Sequence, residues 1–531
     1  MAERRHAGRP ASPGIALGPL VVWRPAGASP AGTGGGGEAE RERFEAACLS
    51  ARDELAGLAD RDGALAAEVL DFQREFLTDP EFLDGVREAL RRGCSAAAAV
   101  REVLGEHIAL FHGEEDEYFR ARTEDLVDLR DRLLALLEGA GSTPPGLPEG
   151  AILLAPELTP SRFLALDRRT LGGIALEGGS ASGHMAMLAR ARGVPLVVGL
   201  GKLPGAAGEA ALDGEEGLLV LDPTPETRAR FARRRRALEE ETRALHGHAG
   251  GPFRTAAGER VEIRINVDDP SALEEATIAA CEGAGLVRTE FLFFGRSEPP
   301  DEEQQYRAYR DLLARFAGKP VRFRTLDVGG DKPLPGITAE EANPFLGLRG
   351  IRLSLARPEL LETQLRALLR AACQGPLEIM LPMVTLPEEL DEVRAMLLRL
   401  REALAAEGES PPLPPLGMMV EVPAAALTLE RFEADFFSIG SNDLVQYLLA
   451  AARDGTGPVA ALFDPLHPAV LRLVGEVVEV GRARGIPVGL CGEMAGDPVA
   501  LGRLLELGLR SISVAPSALA RAAATVRRFG S

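Results

Sequence analysis

The spacing of apolar residues changes twice along the 531 residues. Short apolar runs typical of strands occur at Ile15–Trp23 and again from Ala151 onwards. Between them, from Glu38 to Gly139, apolar residues follow helical spacing and almost no strand pattern is visible. From about Gly251, short apolar runs alternate with helix-length segments. The pattern therefore predicts a helical bundle between two regions of mixed α/β structure.

The last region has the rhythm of a closed α/β barrel. Eight strand candidates, each followed by a helix-length segment, occupy about 280 residues, which matches a (β/α)₈ barrel in number and size. Many of them are near-continuous apolar runs, as expected of parallel strands buried on both faces. The candidates are Val261–Val267, Ala284–Glu290, Val321–Val328, Glu378–Val384, Gly417–Pro423, Phe436–Ser441, Pro487–Glu493 and Ser511–Pro516.

The first strand needs a partner, because an isolated strand is not stable. We expect it to pair with the strands that follow Ala151, so that the helices are inserted into one α/β domain. The predicted fold class is thus α/β multidomain, an α/β domain with an inserted helical bundle followed by a (β/α)₈ TIM-type barrel. The domains are 1–37 with 140–223, the insert 38–139, a linker helix 224–250 and the barrel 251–531.

Charge and cysteine content exclude several classes of protein. A net charge of −19 argues against a nucleic-acid partner, because such proteins carry basic surfaces. No apolar run reaches the ~18 residues of a membrane span, so we expect no membrane association. The five cysteines are scattered without CxxC spacing, which indicates neither a disulfide framework nor a zinc site. This usage fits a reducing compartment, and we expect a cytoplasmic protein.

One histidine follows a run of glycine and serine. His184 comes after Gly178–Gly183 and starts an apolar helical pattern. A helix N-terminus favours negative charge, and a neutral imidazole offers a nitrogen nucleophile, so this residue could accept a phosphoryl group. On spacing alone, an ordinary loop-to-helix junction remains the alternative.

Polar residues gather at the ends of the barrel strands, where the active sites of such barrels lie. Glu421 and Asp443 could converge on Mg²⁺, which takes one or two protein carboxylates, and the arginines could bind phosphate or carboxylate. Taken singly, each pair could equally be a structural ion pair, and Cys491 a small core residue. The set favours a small, multiply charged anion as substrate. Its members are Arg288, Arg324, Glu421, Asn442, Asp443, Arg453 and Cys491.

Six segments resemble the signature motifs of enzyme I, the phosphoenolpyruvate–protein phosphotransferase family of the bacterial sugar phosphotransferase system. The resemblance covers nearly the whole chain, including ASPGIALG near the start and the histidine segment. The motifs are GAGLVRTEFLF, FRTLDVGGDKPLP, NPFLGLRGIR, MVEVPAAA, FFSIGSNDLVQY and GLCGEMAGDP.

The resemblance implies that His184 takes the phosphoryl group of phosphoenolpyruvate and passes it to a histidine of the carrier protein HPr, with release of pyruvate. It implies Mg²⁺ as cofactor, bound by Glu421 and Asp443, and Cys491 as the acid that protonates the enolate carbon. The family usually has Ser or Thr directly before the histidine, where this chain has Gly183. The substrate-binding positions implied are Arg288, Arg324, Asn442, Asp443 and Arg453, with Lys332 and Arg349 as helpers.

The same resemblance assigns roles to the domains. The α/β domain would carry the phosphohistidine, the helical insert would dock HPr, and the barrel would bind phosphoenolpyruvate and form a homodimer. Pyruvate phosphate dikinase and phosphoenolpyruvate synthase share the histidine domain and barrel, but they need an ATP-grasp domain that this chain does not offer. A regulatory relative that has lost catalysis is the other alternative, and activity with magnesium separates it from an enzyme.

Overall fold

The computed structural model divides the chain into two compact units, Met1–Ala237 and Leu238–Ser531. It describes residues 3–24, 37–62, 64–111, 117–138, 146–179, 184–203, 208–246, 252–293, 298–329, 338, 341, 343–452 and 457–530. Within these residues, no helix is both long enough and apolar enough to cross a membrane.

The first unit contains one sheet of eight strands in the order β1-β8-β7-β3-β4-β5-β6-β2. Strands β3 and β4 pair in parallel, with Leu20 opposite Ile152, although more than a hundred residues separate them in the chain. The predicted pairing of the first strand with the later α/β region is therefore confirmed. The strands are β1 Arg4–Ala7, β2 Arg9–Ser12, β3 Ile15–Val22, β4 Ala151–Ala155, β5 Leu171–Leu176, β6 Leu196–Val198, β7 Gly208–Asp213 and β8 Leu218–Leu221.

Three strands of this sheet were not predicted from the sequence. Strands β1 and β2 lie at the two edges of the sheet, where each pairs with one neighbour. Their sequences, RRHA and RPAS, lack an apolar run, because an edge strand needs no continuous buried face. The third, β7, is central and pairs with both β3 and β8.

In the described part of the segment between β3 and β4, five helices form the inserted bundle, as the helical spacing predicted. Asp79 begins α3 by accepting a hydrogen bond from the Phe82 N–H (3.0 Å), and Pro80 occupies the first turn. Phe82 packs edge-on against Phe44 in the bundle core, with ring centroids 6.0 Å apart. The helices are α1 Glu38–Asp62, α2 Ala64–Phe76, α3 Pro80–Arg91, α4 Ala96–Phe111 and α5 Glu117–Glu138.

The remaining helices of this unit are α6 Pro160–Ala165, α7 His184–Arg192 and the start of α8 Pro225–His246. The division between the two units falls inside α8, within the segment that the sequence predicted as a linker helix.

The second unit is a closed barrel of eight parallel strands, β10 to β17, with β9 added antiparallel to β10. Pairing of β10 with β17, which sets Ile263 opposite Ile512, closes it. The predicted barrel and all eight of its strands are confirmed. The strands are β9 Phe253–Arg254, β10 Arg260–Val267, β11 Ala284–Arg288, β12 Val321–Arg324, β13 Leu377–Leu381, β14 Leu416–Val420, β15 Phe437–Ile439, β16 Val488–Leu490 and β17 Ser511–Val514.

Helices of the second unit follow the strands. One of the longest, α10 Glu302–Phe316, begins with a capping box formed by Asp301 and Gln304. The helices are α9 Glu275–Ala280, α10 Glu302–Phe316, α11 Ile351–Ala356, α12 Pro358–Ala371, α13 Pro387–Ala406, α14 Pro423–Leu427, α15 Ser441–Leu449, α16 Pro468–Arg484, α17 Pro498–Glu506 and α18 Leu519–Arg528.

Side chains alternate along each barrel strand between the helices and the interior. On β12, Phe323 faces the outer core and packs against Tyr309 with the two rings tilted by 60°, while Arg322 and Arg324 enter the interior at two different depths. Between these depths lies a separate apolar cluster. It consists of Leu286, Met380, Met419, Phe436 and Cys491. The interior of the barrel is thus polar at both ends and apolar in the middle.

A buried carboxylate connects the inserted bundle to the α/β part of the first unit. Asp128 of α5 accepts hydrogen bonds from the Ser161 N–H (3.0 Å) and hydroxyl (2.7 Å) of α6, and from the Gln73 side chain of α2 (3.1 Å). Its side chain is fully buried, so these three donors replace the water that a carboxylate needs. Asp128 therefore fixes three helices to one another.

We expect Asp128→Ala to lower the free energy of unfolding of the first unit by about 2–4 kcal/mol, since it leaves buried donors without an acceptor. Trp23, the only tryptophan of the chain, lies directly after β3, so its fluorescence during urea unfolding reports on this unit. Asp131→Ala is the matched control. Asp131 is partly exposed and pairs with Arg130 and Arg162, so its loss should cost less than about 1 kcal/mol. Equal effects of the two variants would contradict the role given to Asp128.

Candidate active site

Polar side chains from four strands and one helix meet at the carboxyl end of the barrel. Arg288 ends β11 and Arg324 ends β12. Glu421 follows β14, Asp443 lies in the first turn of α15, and Cys491 follows β16. Seven of the eight predicted strands end two to four residues earlier in the structure, and the first, Val261–Val267, ends at the predicted residue.

A chain of ion pairs runs across this end of the barrel. Arg324 contacts Glu290 (2.5 Å) and Asp327 (2.8 Å). The same Asp327 oxygen accepts from Arg349 (3.0 Å), and Arg349 reaches Asp443 (3.4 Å). All except Asp443 are almost fully buried, so each charge depends on its neighbours for the interactions that water would otherwise supply. The carboxylates hold the pKa of Arg324 and of Arg349 above the ordinary range against the opposing effect of burial.

Glu421 is the buried carboxylate around which these charges are arranged. Its side chain is 0% exposed, and one oxygen accepts a short hydrogen bond from the Met383 N–H (2.6 Å). The other oxygen, Oε2, has no hydrogen-bond partner among the described residues. Burial raises the pKa of Glu421 to about 8, the negative charges of Asp443 and Asp327 act in the same direction, and Arg324 and Arg349 oppose them. Glu421 is therefore placed where a proton or a positive ion at Oε2 would be stabilised.

The backbone around Glu421 is shaped to admit it. Met383, whose N–H reaches the carboxylate, has a positive φ of 58°, a conformation that non-glycine residues adopt at a cost of about 1–3 kcal/mol. Gly440 gives space on the other side, since a Cβ placed there would lie 2.8 Å from Glu421 Oε2 and 2.8 Å from the Met419 side chain. These contacts fix the position of the unpartnered oxygen.

Two glycines with positive φ lie beside Arg349. Gly350 has φ 58°, and at Gly329, with φ 105°, a Cβ would lie 2.8 Å from Arg349 Cβ. The Tyr447 hydroxyl lies 3.3 Å from Arg349 and donates to the Phe345 carbonyl (2.6 Å). Arg349, predicted as a helper, is thereby held beside Asp327 and Asp443 in the site.

Arg288 and Asn442 complete the described polar rim. Arg288 is partly exposed and its Nε lies 3.3 Å from Asp268, which follows β10, and the Asp268 charge raises the pKa of Arg288. The Asn442 side-chain oxygen accepts from the Glu493 N–H (3.1 Å), which ties the start of α15 to the segment after β16.

Cys491 lies at the boundary between the polar site and the apolar middle of the barrel. Its thiol is buried against Leu286, Met380 and Met419, and it lies 3.7 Å from the Ile439 carbonyl. Burial raises the pKa of Cys491, although a hydrogen bond with Ser438 opposes this. The thiol therefore keeps its proton at neutral pH, as a general acid must.

For three of the predicted residues, the structure describes no side chain. Lys332 and Arg453 lie outside the described residues. His184 begins α7, where the structure describes its backbone but not its side chain, so the predicted helix start after the glycine and serine run is present.

Sequence reasoning did not assign roles to several residues that build the site. Glu290 and Asp327 orient Arg324, and Gln364 of α12 donates to the Thr289 hydroxyl (3.1 Å) and accepts from the Leu326 N–H (2.9 Å). Asn266 donates to the Cys491 carbonyl (3.0 Å). Asn266 did carry a signal, since polar residues at every second position of β10 indicate a face that lines a polar interior.

The donor set is suitable for a hard divalent cation. Glu421 Oε2 is unpartnered and buried, and the Asp443 charge is close enough to raise the pKa of Glu421. The described residues contain no group of three or more acidic, histidine or cysteine side chains suited to a metal. Mg²⁺ is usually bound by only one or two carboxylates, with substrate oxygens and water completing its shell. The two carboxylates thus fit magnesium better than a metal that needs a full protein cage.

We expect Gly440→Ala to destabilise the barrel by about 1–3 kcal/mol, because the new methyl group would overlap Glu421 and Met419. The φ of Gly440 is −87°, which alanine also adopts, so the effect is steric. Gly502→Ala in α17 is the control, with no atom within 4 Å of the new Cβ, and should be neutral or stabilising by about 0.5–1 kcal/mol. Calorimetric melting of both full-length variants measures the difference, and a Gly440→Ala protein as stable as Gly502→Ala would contradict this packing.

The chain matches three domain families that share one description. Residues 245–530, more than half of the chain, match "PEP-utilising enzyme, PEP-binding domain". Residues 7–122 match "PEP-utilising enzyme, N-terminal", and residues 147–217 match "PEP-utilising enzyme, mobile domain".

Curated relatives extend over nearly the whole chain. A protein of Bacillus sp. (strain S) named phosphoenolpyruvate-protein phosphotransferase is 38% identical over 510 residues, covering 93% of this chain and 87% of the relative. A protein of the same name from Haloferax volcanii is 41% identical over 487 residues, and the alignment covers 89% of this chain and 84% of the relative. Among solved structures, the NMR solution structure titled Enzyme I (nEIt) aligns with 44% of this chain and 99% of its own, at 24% identity and a TM-score of 0.37.

The three domain matches and the long alignments at more than 35% identity agree with one another along the chain. The chain therefore belongs to the PEP-utilising enzyme family, as a member of its phosphoenolpyruvate–protein phosphotransferases.

Proposed function

We propose that this protein transfers the phosphoryl group of phosphoenolpyruvate to His184 and then to a histidine of an HPr-type carrier protein, releasing pyruvate. The curated relatives carry the name of this activity. The observation that supports it in the barrel is Glu421, whose buried Oε2 has no partner among the described residues and is influenced by the charges of Asp443, Asp327, Arg324 and Arg349.

The arginines supply charge for a substrate that carries a phosphate and a carboxylate. Arg288 is partly exposed at the rim, where its Nε pairs with Asp268, and its guanidinium is proposed to contact an incoming anion. Arg324 and Arg349 are held in place by Glu290 and Asp327 before substrate arrives, so little reorganisation is needed when they stabilise developing charge. Lys332, Arg453 and Asn442 are proposed as further substrate contacts.

Magnesium is proposed as the cofactor, with Glu421 and Asp443 as its protein ligands. When bound, it would neutralise charge on the transferring phosphoryl group and hold substrate oxygens in position. Because Glu421 has one oxygen fixed by Met383 and the other unpartnered, the carboxylate is already oriented for this role.

The transfer breaks one bond and forms one bond to phosphorus. The bond between phosphorus and the enol oxygen of the substrate breaks, and a bond from phosphorus to a ring nitrogen of His184 forms. The enol oxygen keeps the electron pair, which leaves the enolate of pyruvate. A proton from the Cys491 thiol then reaches the terminal carbon, giving pyruvate, and solvent restores the thiol proton.

The partners and setting follow from the same proposal. The inserted helical bundle is proposed as the docking site of the HPr-type carrier, and the barrel as the site of homodimer formation. We propose a cytoplasmic location, which the five free cysteines support, since a reducing compartment keeps them as thiols.

The phosphoryl acceptor can be identified directly. Full-length protein is incubated with radiolabelled phosphoenolpyruvate and Mg²⁺, with and without HPr. Label that is lost in acid is expected on the wild type and on the control His467→Ala, whose histidine caps α16, and none on His184→Ala. Label on the wild type should move to HPr as pyruvate appears. Labelling of His184→Ala at the wild-type level would overturn the assignment, and an unlabelled but folded wild type would indicate a regulatory relative.

Cys491→Ala separates phosphoryl transfer from protonation of the enolate. We expect pyruvate formation to slow by roughly 10²- to 10⁴-fold, the range of general acid catalysis, while calorimetric melting shows a folded barrel. Cys281→Ala is the control, because Cys281 is also buried but its thiol donates to the Ile278 carbonyl outside the site. Exchange of solvent deuterium into pyruvate reports on protonation at carbon, and an unchanged exchange rate in Cys491→Ala would contradict this role.

A further inference from the structure

A second cavity opens at the amino end of the barrel strands, opposite the site described above. Its volume is about 660 Å³, within the range of small-molecule sites. None of its residues takes part in the proposed phosphoryl transfer. Its lining includes Glu262, Arg264, Arg322, Glu378, Phe436 and Gly489.

The carboxylates of this cavity are already satisfied. Glu378 accepts from Arg264 (2.8 Å) and from Arg322 Nε (2.8 Å) through the same oxygen. Glu262 accepts from Arg264 (3.0 Å) and from the Ser511 hydroxyl (2.7 Å). The two carboxylates therefore offer little to an incoming cation.

Within the described residues, the Arg322 guanidinium donates a hydrogen bond through only one of its three nitrogens. Its side chain is 8% exposed, and its one hydrogen bond within the described residues goes from Nε to Glu378. The two terminal nitrogens make none, although they belong to a residue that lines the cavity. Burial lowers the pKa of Arg322, and the negative charge of Glu378 offsets this effect only in part. The terminal N–H groups have no acceptor among the described residues and can donate to a molecule bound in the cavity.

An aromatic ring restricts access to the Arg322 guanidinium. The guanidinium lies over the Phe436 ring, with its carbon 3.8 Å from the ring centroid, so the aromatic ring covers one face. Phe436 fits there because residue 417 is glycine, where a Cβ would lie 2.5 Å from the ring. Gly489, on the cavity wall, likewise adds no side chain. Arg322, Phe436 and Gly489 thus form adjoining parts of the cavity lining.

We propose that this cavity binds a small anion carrying a carboxylate or phosphate group, held by the two terminal nitrogens of Arg322. A guanidinium fork matches two oxygens of either group in bidentate fashion. The apolar cluster of the barrel middle lies between this cavity and the carboxyl-end site.

A tryptophan placed at the mouth of the cavity provides a local reporter. Leu413 lines the cavity and is 37% exposed, so Leu413→Trp can be accommodated, and Trp23 of the other unit is the only tryptophan to subtract. Inorganic phosphate and malonate are titrated separately into the full-length variant at constant ionic strength. We expect a saturable change in fluorescence with at least one of them, and the probe with the lower Kd identifies phosphate or carboxylate as the preferred group.

Substitutions of Arg322 in the Leu413→Trp protein decide the proposal. Arg322→Lys keeps the charge but loses the fork, so Kd should rise by at least about fivefold, and Arg322→Met should abolish saturation. Arg394→Met is the matched control, because Arg394 lines the same cavity but already pairs with Asp435 and the Glu433 carbonyl, and its Kd should stay within about twofold.

Three results would overturn the proposal. They are no saturable change with either probe, equal saturation in Arg322→Met, and equal loss of affinity in Arg394→Met. If Arg322→Met fails to fold, as judged by calorimetric melting, Arg322→Lys alone decides. An unchanged Kd in Arg322→Lys would then show that Arg322 and its ion pair with Glu378 contribute to barrel stability only.

Discussion

The buried carboxylate of Glu421 imposes the main constraint on the carboxyl end of the barrel. Removing a carboxylate from water costs several kcal/mol unless hydrogen bonds or opposite charges compensate, and no donor among the residues that the structure describes reaches Glu421 Oε2. The two nearby arginines reduce the cost, but each is itself bound by Asp327. The fold thus holds a carboxylate in a state that favours binding of a positive ion.

The surrounding structure maintains this state. The strained backbone of Met383 directs an N–H at Glu421, and the missing side chain of Gly440 leaves room for the second oxygen. Both features cost stability, through backbone strain and through the greater freedom of glycine in the unfolded chain. Such costs are typical of sites whose geometry is set before the ligand arrives.

Alternation of side chains along parallel strands links the two ends of the barrel. On β12 the same inward face carries Arg322 at one end and Arg324 at the other. At the carboxyl end the arginine is bound by Glu290 and Asp327, whereas at the amino end it keeps free donors above an aromatic ring. The apolar cluster around Met380 and Met419 separates the two charged regions, so one barrel offers two polar environments with different requirements.

The sequence by itself determined the element types, the inserted bundle and the eight barrel strands, because apolar spacing and strand length are local properties. It also placed Arg288, Arg324, Glu421 and Asp443 at strand ends, since topology brings the carboxyl ends of parallel strands together. Only the tertiary structure decided the edge strands β1 and β2, which depend on their partners, and the contacts of Gln364 and Asn266, which join distant elements. The unpartnered oxygen of Glu421 and the free edge of Arg322 arise from packing in three dimensions, which no local pattern records.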